Sequence, residues 1–66
     1  MIVVLNPGAS PERTQHLIHW LEEQNLGVHV SKGEDQTVLG LIGNTSKVDM
    51  EMLQSLDIVD SVTRVS

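Results

Sequence analysis

The sequence contains no cysteine, no phenylalanine and no tyrosine, and its one tryptophan is Trp20. Without cysteine the chain has no disulfide, no thiolate zinc site, no paired-cysteine copper loop and no cysteine nucleophile. Without aromatic residues on its strands, it lacks the platform on which RNA-recognition domains stack bases. The composition therefore argues against thiol chemistry, thiolate-bound metals and base stacking.

Basic residues are also few, with four Lys and Arg against nine Asp and Glu, for a formal net charge of −5. Such a chain repels the phosphate backbone of nucleic acids. The N-terminal apolar run, residues 1–5, is broken by Asn6-Pro7-Gly8 and is too short for a signal-peptide core or a membrane span. The sequence therefore predicts a cytoplasmic protein that binds neither nucleic acid nor a membrane.

What is present suits one small globular domain, with 66 residues of which 39% are hydrophobic. A chain of this size buries only about 60% of its unfolded surface. Since no disulfide supplements that burial, we expect a well-patterned core, association with a partner, or attachment to a larger protein.

The first half of the chain predicts a strand, a helix and a second strand. Residues 1–5 are apolar and rich in β-branched side chains, which is typical of a buried strand. Ser10-Pro11-Glu12 predicts a helix start, and the helix over residues 11–24 carries Leu17, Ile18 and Leu21 on one face. Asn25 or Gly27 can close this helix in the left-handed conformation. Residues 27–32 then alternate as a strand does.

The second half predicts a hairpin partner, a shorter helix and a last strand. Residues 33–35 form a turn before an apolar strand over residues 37–42, and this connection is too short for a parallel crossover. The second helix should span residues 49–56, and residues 58–65 form the fourth strand. The side chains expected to be buried around the second helix are Val48, Met52, Leu53 and Leu56.

This β-α-β-β-α-β order predicts an α+β, ferredoxin-like fold, in which two helices cover one face of a four-stranded antiparallel sheet. The strand order of that fold is 4-1-3-2, so the first and third strands are central and the other face stays open. Because strand side chains alternate, Val28 and Val30 should meet the helices. His29 and Ser31 should then lie on the open face, near the edge of the sheet.

His29 and Ser31 are the candidate site residues. An imidazole and a hydroxyl about 7 Å apart on one face offer donors and acceptors to a small zwitterion. Leu39 or Leu41 of the neighbouring strand is expected to supply apolar contacts on the same face. A second surface would have to close over such a ligand. The other interpretation is an ordinary solvated polar surface, and the pattern alone leaves both open.

Three other motifs give weaker indications of function. His16 and His19 are three residues apart on the first helix, but no third ligand accompanies them, so we predict no metal site and no cofactor. The GLIG stretch at residues 40–43 matches the GxxG pattern of the KH-domain clamp. It ends a strand, however, whereas the KH clamp joins two helices, so we predict no KH-type site. No Ser-His-acid set has a cue for mutual contact, so no catalytic residue is predicted.

Three stretches of the chain carry a resemblance to a known family: MIVVLNPGAS at the start, HVSKGEDQTVLGLIG in the middle and VTRV at the end. In order and spacing they are similar to the N-terminal regulatory domain of one class of 3-deoxy-7-phosphoheptulonate (DAHP) synthase. In that family a ferredoxin-like domain precedes a TIM barrel. The barrel condenses phosphoenolpyruvate with erythrose 4-phosphate at a divalent metal, which opens the shikimate route to aromatic amino acids.

The resemblance implies a role for the small domain. It is similar to an ACT domain, performs no chemistry, pairs with a domain of another subunit and binds tyrosine or phenylalanine between them as a feedback inhibitor. The binding His and Ser of the family's HxSxG strand correspond to His29 and Ser31. One departure follows the third strand, where the family has acids and this chain has Asn44-Thr45-Ser46.

On this resemblance, residues 1–66 are a single regulatory domain without the catalytic barrel. Its expected partners are an aromatic amino acid, another copy of the domain and a catalytic barrel domain. The alternative function is that of a protein-association module, which docks through its open sheet face and binds no small ligand.

Overall fold

The computed structural model describes residues 1–65 as a ferredoxin-like fold; Ser66, the last residue of the predicted domain, lies outside the described residues. A short 3-10 turn at Thr45–Lys47 precedes the second helix. The elements, in chain order, are β1 Ile2–Leu5, α1 Pro11–Glu23, β2 Gly27–Lys32, β3 Thr37–Ile42, α2 Met50–Ser55 and β4 Val59–Thr63.

The four strands form one antiparallel sheet in the order β2-β3-β1-β4, which confirms the predicted topology. β1 lies between β3 and β4, so its residue Val3 pairs with Leu39 on one side and with Val62 on the other. β2 is an edge strand that pairs with β3 alone. Both crossovers place their helices on the same face of this sheet, because a right-handed connection leaves no other arrangement.

The core lies between the helices and the covered face of the sheet. Its fully buried side chains come from both layers, since Leu21 of α1 and Leu53 of α2 meet Val3, Leu5 and Leu39. Leu17 and Ile18 are buried beside Leu21, which confirms the predicted face of α1. No polar side chain within residues 1–65 is buried.

The ends of α1 follow the predicted signals. The Ser10 hydroxyl accepts a hydrogen bond from the backbone N–H of Arg13 at 3.1 Å, and Pro11 occupies the first turn. The helix ends at Glu23, one residue before the predicted end. Asn25 then takes a φ of 64°, which is the left-handed conformation that a short polar side chain tolerates.

The second helix and the last strand are shorter than predicted. α2 begins after Asp49, whose carboxylate accepts from the N–H of Met52 at 3.1 Å and therefore caps the helix instead of joining it. Val48 is buried as predicted, whereas Met52 and Leu56 are half-buried. β4 shifts register against β1 between Val4 and Leu5, and this irregularity accounts for the uneven alternation of the last strand.

One expectation about the open face is wrong. Leu39 and Leu41 pair with Val30 and Val28, and cross-strand partners point to the same face of a sheet. Leu39 is therefore fully buried against the helices, and Leu41 is 6% exposed. Neither contributes an apolar contact to the open face. The reason is the register of the β2–β3 hairpin, which sets Gly40 opposite His29.

Candidate functional site

His29 and Ser31 lie on β2 with exposed side chains on the helix-free side of the sheet, which we call the open face. Alternation along β2 turns Val28 toward the helices, where it is half-buried. Val30 points the same way, yet 39% of it remains exposed, because α1 covers only part of the edge strand. The placement of the polar pair near the sheet edge is therefore as predicted.

Two rows of cross-strand partners cross the open face from β2 to β4. The rows are His29–Gly40–Ile2–Thr63 and Ser31–Val38–Val4–Ser61.

These rows divide the open face by chemistry. Polar side chains stand on the two outer strands, while the inner strands present Ile2, Val4 and Val38 with a gap at Gly40. Ile42, which is 66% exposed, extends the apolar part toward the end of β3. Neither row contains a charged residue. The face thus suits a ligand or partner with an apolar body and neutral hydrogen-bonding groups at its edge.

The hydrogen-bonding groups of the polar pair are available to an external molecule. Within residues 1–65, no hydrogen bond uses the imidazole of His29 or the hydroxyl of Ser31. A neutral imidazole offers one donor and one acceptor, and a hydroxyl offers both. Two residues apart on one strand, the pair spans about 7 Å on one face.

The open face is a surface and not a cavity. A small-molecule site buries roughly 70–90% of its ligand, whereas a sheet covers a ligand from one side only. A small molecule on the open face alone would therefore stay largely exposed, and its burial would need a second surface.

A concave surface lies on the other side of the molecule, between the two helices. This helix groove has a volume of about 390 Å³ and is lined by Leu17, Trp20, Met52 and Leu56. Its lining is apolar, so it offers apolar contact area but no polar group that would orient a zwitterion. Trp20 is 38% exposed and lies at the rim of this groove.

The described residues bring together no metal-binding cluster. No group of three His, Asp or Glu side chains that could hold a metal ion occurs within residues 1–65. His16 and His19 are exposed on α1. In the same part of the chain, no helix is long and apolar enough to cross a bilayer.

Sequence reasoning missed Gly40, Ile2, Val4 and Val38 as members of the open face. The feature that could have placed them there is the length of the β2–β3 turn. In this turn the N–H of Gly33 donates to the carbonyl of Gln36 at 2.8 Å. This turn makes Lys32 and Thr37 the closing pair, and each earlier residue of β2 then meets the next residue of β3.

The whole chain, residues 1–66, matches the model of the DAHP synthase ferredoxin-like domain family. It is 45% identical over 65 residues to the phospho-2-dehydro-3-deoxyheptonate aldolase of Thermotoga maritima, over 98% of this chain and 19% of that protein. A crystal structure of phospho-2-dehydro-3-deoxyheptonate aldolase (DAHP synthase) from Thermotoga maritima has a TM-score of 0.87 and 43% identity, over the same two shares. The chain therefore spans about a fifth of the length of these relatives.

Proposed function

This chain belongs to the family of DAHP synthase ferredoxin-like domains, and on that premise we propose that residues 1–66 form a regulatory domain that binds tyrosine or phenylalanine. The ligand lies between the open faces of two copies of the domain and contacts His29 and Ser31. Bound ligand acts as a feedback signal to a catalytic barrel domain that performs the condensation of phosphoenolpyruvate with erythrose 4-phosphate.

The observation that carries this proposal is the arrangement of the open face. His29 and Ser31 have unused hydrogen-bonding groups on the edge strand, and Val38 lies directly beside Ser31. An aromatic amino acid has the matching shape, with a polar amino acid group at one end and an apolar ring at the other. The polar pair fixes the polar groups, and the inner strands pack the ring.

Pairing of two copies follows from the shallowness of the site. One open face leaves half of the ligand in water. A second copy of the same face covers that half and offers the ligand the same side chains. A two-fold symmetric pair is also the commonest arrangement of identical chains, since one self-complementary patch suffices. Because the ligand then binds the pair better than the single chain, it drives association by linkage.

The chemistry belongs, in this proposal, to the barrel domain and not to these residues. Condensation of two phosphorylated substrates at a metal needs clustered cations and metal ligands. Two of the four basic side chains are engaged elsewhere: Arg13 lies 3.5 Å from the Asp57 carboxylate, and Arg64 donates to the backbone carbonyls of Thr45 and Val48. The small domain therefore acts through binding alone.

The test is a titration of tyrosine and phenylalanine into the isolated chain, followed by amide NMR shifts and by sedimentation. We expect shifts along β2 and β3 and a rise in sedimenting mass. His29→Ala should weaken binding by about 1–2 kcal/mol, because one hydrogen bond is lost and its partner on the ligand stays unpaired. That loss corresponds to a factor of roughly 5–30 in affinity.

His16→Ala is the matched control, since His16 is an exposed histidine on α1, on the covered side of the sheet. It should leave the affinity unchanged. If saturating ligand moves neither the amide resonances of β2 and β3 nor the sedimentation of the parent chain, the regulatory proposal fails.

A second candidate function is a protein-association module that docks through the open face without a small ligand. The exposure of Ile42, at 66%, favours it, because Ile42 extends the apolar centre of the open face, and contiguous exposed apolar patches are typical of protein contacts. Dimerisation of the chain that proceeds equally without either amino acid would support this second function.

A further inference from the structure

Gly40 occupies an unusual position for a glycine. It lies inside β3, one of the two central strands, and its φ is not positive, whereas Gly43 has a φ of 119°. Glycine weakens a strand interior, because it costs more backbone entropy than other residues and packs no side chain. The fold therefore gains nothing from glycine in the backbone conformation of residue 40.

Packing does not require glycine at this position either. A Cβ built on Gly40 would meet the Cβ of His29 at 3.8 Å and the His29 carbonyl oxygen at 3.9 Å, which are ordinary contacts. Gly33 differs, since a Cβ there would approach the Gln36 carbonyl oxygen to 3.0 Å. The fold itself thus disfavours a side chain at Gly33 and at Gly43, whereas it accepts one at Gly40.

The missing side chain leaves a gap in the open face. Gly40 pairs with His29 on one side and with Ile2 on the other, so those two side chains stand two strand spacings apart, about 9–10 Å. Along β3 the gap is bounded by Val38 and Ile42, which point to the same face. The gap has an imidazole on one wall, an aliphatic side chain on the other and bare backbone as its floor.

We propose that Gly40 is the floor of the ligand site and that the aromatic ring of the bound amino acid lies against its backbone, between His29 and Ile2. This inference rests on the proposed function and adds a determinant of ligand choice. A planar ring can lie flat on the glycine backbone, whereas a branched aliphatic side chain cannot bring all its carbons equally close. Glycine inside a strand often marks a bulge, a tight bend, or the close approach of a ligand or another backbone, and the register on both sides of Gly40 is regular.

The test is Gly40→Ala, which has opposite expected effects on the fold and on binding. The midpoint of thermal unfolding should stay equal or rise, because alanine fits the space and the strand. Affinity for tyrosine and phenylalanine should fall by about tenfold or more, which is the scale of forcing one methyl group into a filled contact. Gly8→Ala is the matched control, since a Cβ at Gly8 meets nothing within 4 Å and Gly8 lies in the β1–α1 loop.

A second measurement needs no variant. The Hα resonances of Gly40 in the parent chain should move upfield when tyrosine or phenylalanine binds, because protons over a ring face are shielded by its current. Leucine at the same concentration should leave them in place.

The outcomes separate this inference from the proposed function. If Gly40→Ala binds both amino acids like the parent, or if it lowers the unfolding midpoint, Gly40 is not a ligand floor while the regulatory function stands. Unmoved Gly40 Hα resonances in a chain that does bind ligand lead to the same conclusion. If the parent binds neither amino acid, the proposed function and this inference fall together.

Discussion

Ser31 and Val38 are cross-strand partners, so a hydroxyl and a branched apolar side chain stand side by side on the open face. This pair marks the boundary between the polar edge of the sheet and its apolar centre. Partners in register lie about 5 Å apart at their Cβ atoms, which is close enough for one small ligand to contact both. In the complex that we propose, this boundary would orient the amino acid with its polar groups toward β2.

Ser31→Ala should weaken binding of the aromatic amino acid by about 1 kcal/mol and leave the stability of the domain unchanged. The hydroxyl makes no hydrogen bond within residues 1–65, so its removal leaves no unpaired group in the free domain. In the complex, one hydrogen bond of ordinary strength is lost. Calorimetric titration of parent and variant, beside thermal melts of both, measures the two quantities.

Ser61→Ala is the control for Ser31, because Ser61 lies in the same row on the far strand, about 14 Å away across the sheet. Equal losses of affinity for the two variants would contradict a site at the β2 edge.

Leu39→Ala and Ile42→Ala should differ sharply in their effect on the free energy of unfolding, although both change a large aliphatic residue of β3. Leu39 is fully buried between the sheet and the helices, so its truncation should cost about 2–5 kcal/mol. Ile42 is 66% exposed on the open face, so its truncation should cost no more than about 1 kcal/mol. Urea unfolding, followed by circular dichroism, compares the two.

A larger loss of stability for Ile42→Ala than for Leu39→Ala would mean that the buried and exposed faces of β3 are assigned the wrong way round. Pairing of the domains should depend more on Ile42 than on Leu39, because Ile42 lies on the face that we propose to be shared.

The sequence was sufficient for the fold because its local signals agree with one another. Ser10 and Pro11 predict the start of α1, Asn25 its end, and the element order predicts the topology. The two short elements were predicted less well. Asp49 is as acceptable in a first helical turn as in a cap, and the distinction depends on its backbone conformation.

The open face could be predicted only in part. Alternation along β2 separates His29 and Ser31 from two valines, because polar and apolar residues alternate there. β3 is apolar at nearly every position, so alternation alone does not distinguish Leu39 from Val38. The register of the hairpin does, and register depends on which residues close the turn. The gap at Gly40 could not be predicted without knowing its neighbours on β1 and β2.

Asn25→Ala should lower the free energy of unfolding by about 1 kcal/mol, whereas Asn25→Gly should leave it unchanged or raise it. At a φ of 64° a Cβ clashes with the following carbonyl, and asparagine offsets this strain better than alanine does. Glycine has no Cβ and is the commonest residue at such helix ends. Urea unfolding of the two variants gives the sign of each change, and a more stable Asn25→Ala would argue against a left-handed helix end.

The apparent affinity of the isolated chain for tyrosine or phenylalanine should rise with the concentration of the chain. If the ligand is shared by two open faces, each binding event includes an association step, whereas a site on one chain has an affinity independent of protein concentration. Added salt should also raise the apparent affinity. Each chain carries a formal net charge of −5, and ions screen the repulsion between two copies over about 10 Å at 0.1 M.

Ile42→Asp tests the same coupling at one residue. It places a like charge on each of the two facing surfaces, so ligand-driven pairing should be lost while the exposed position tolerates the change in the free domain. Gln15→Asp adds the same charge on the exposed side of α1, away from the open face, and should leave pairing nearly intact. Sedimentation of the three chains with saturating tyrosine makes the comparison. Loss of pairing in both variants would assign the effect to net charge, and retention in both would mean that the open face is not the shared surface.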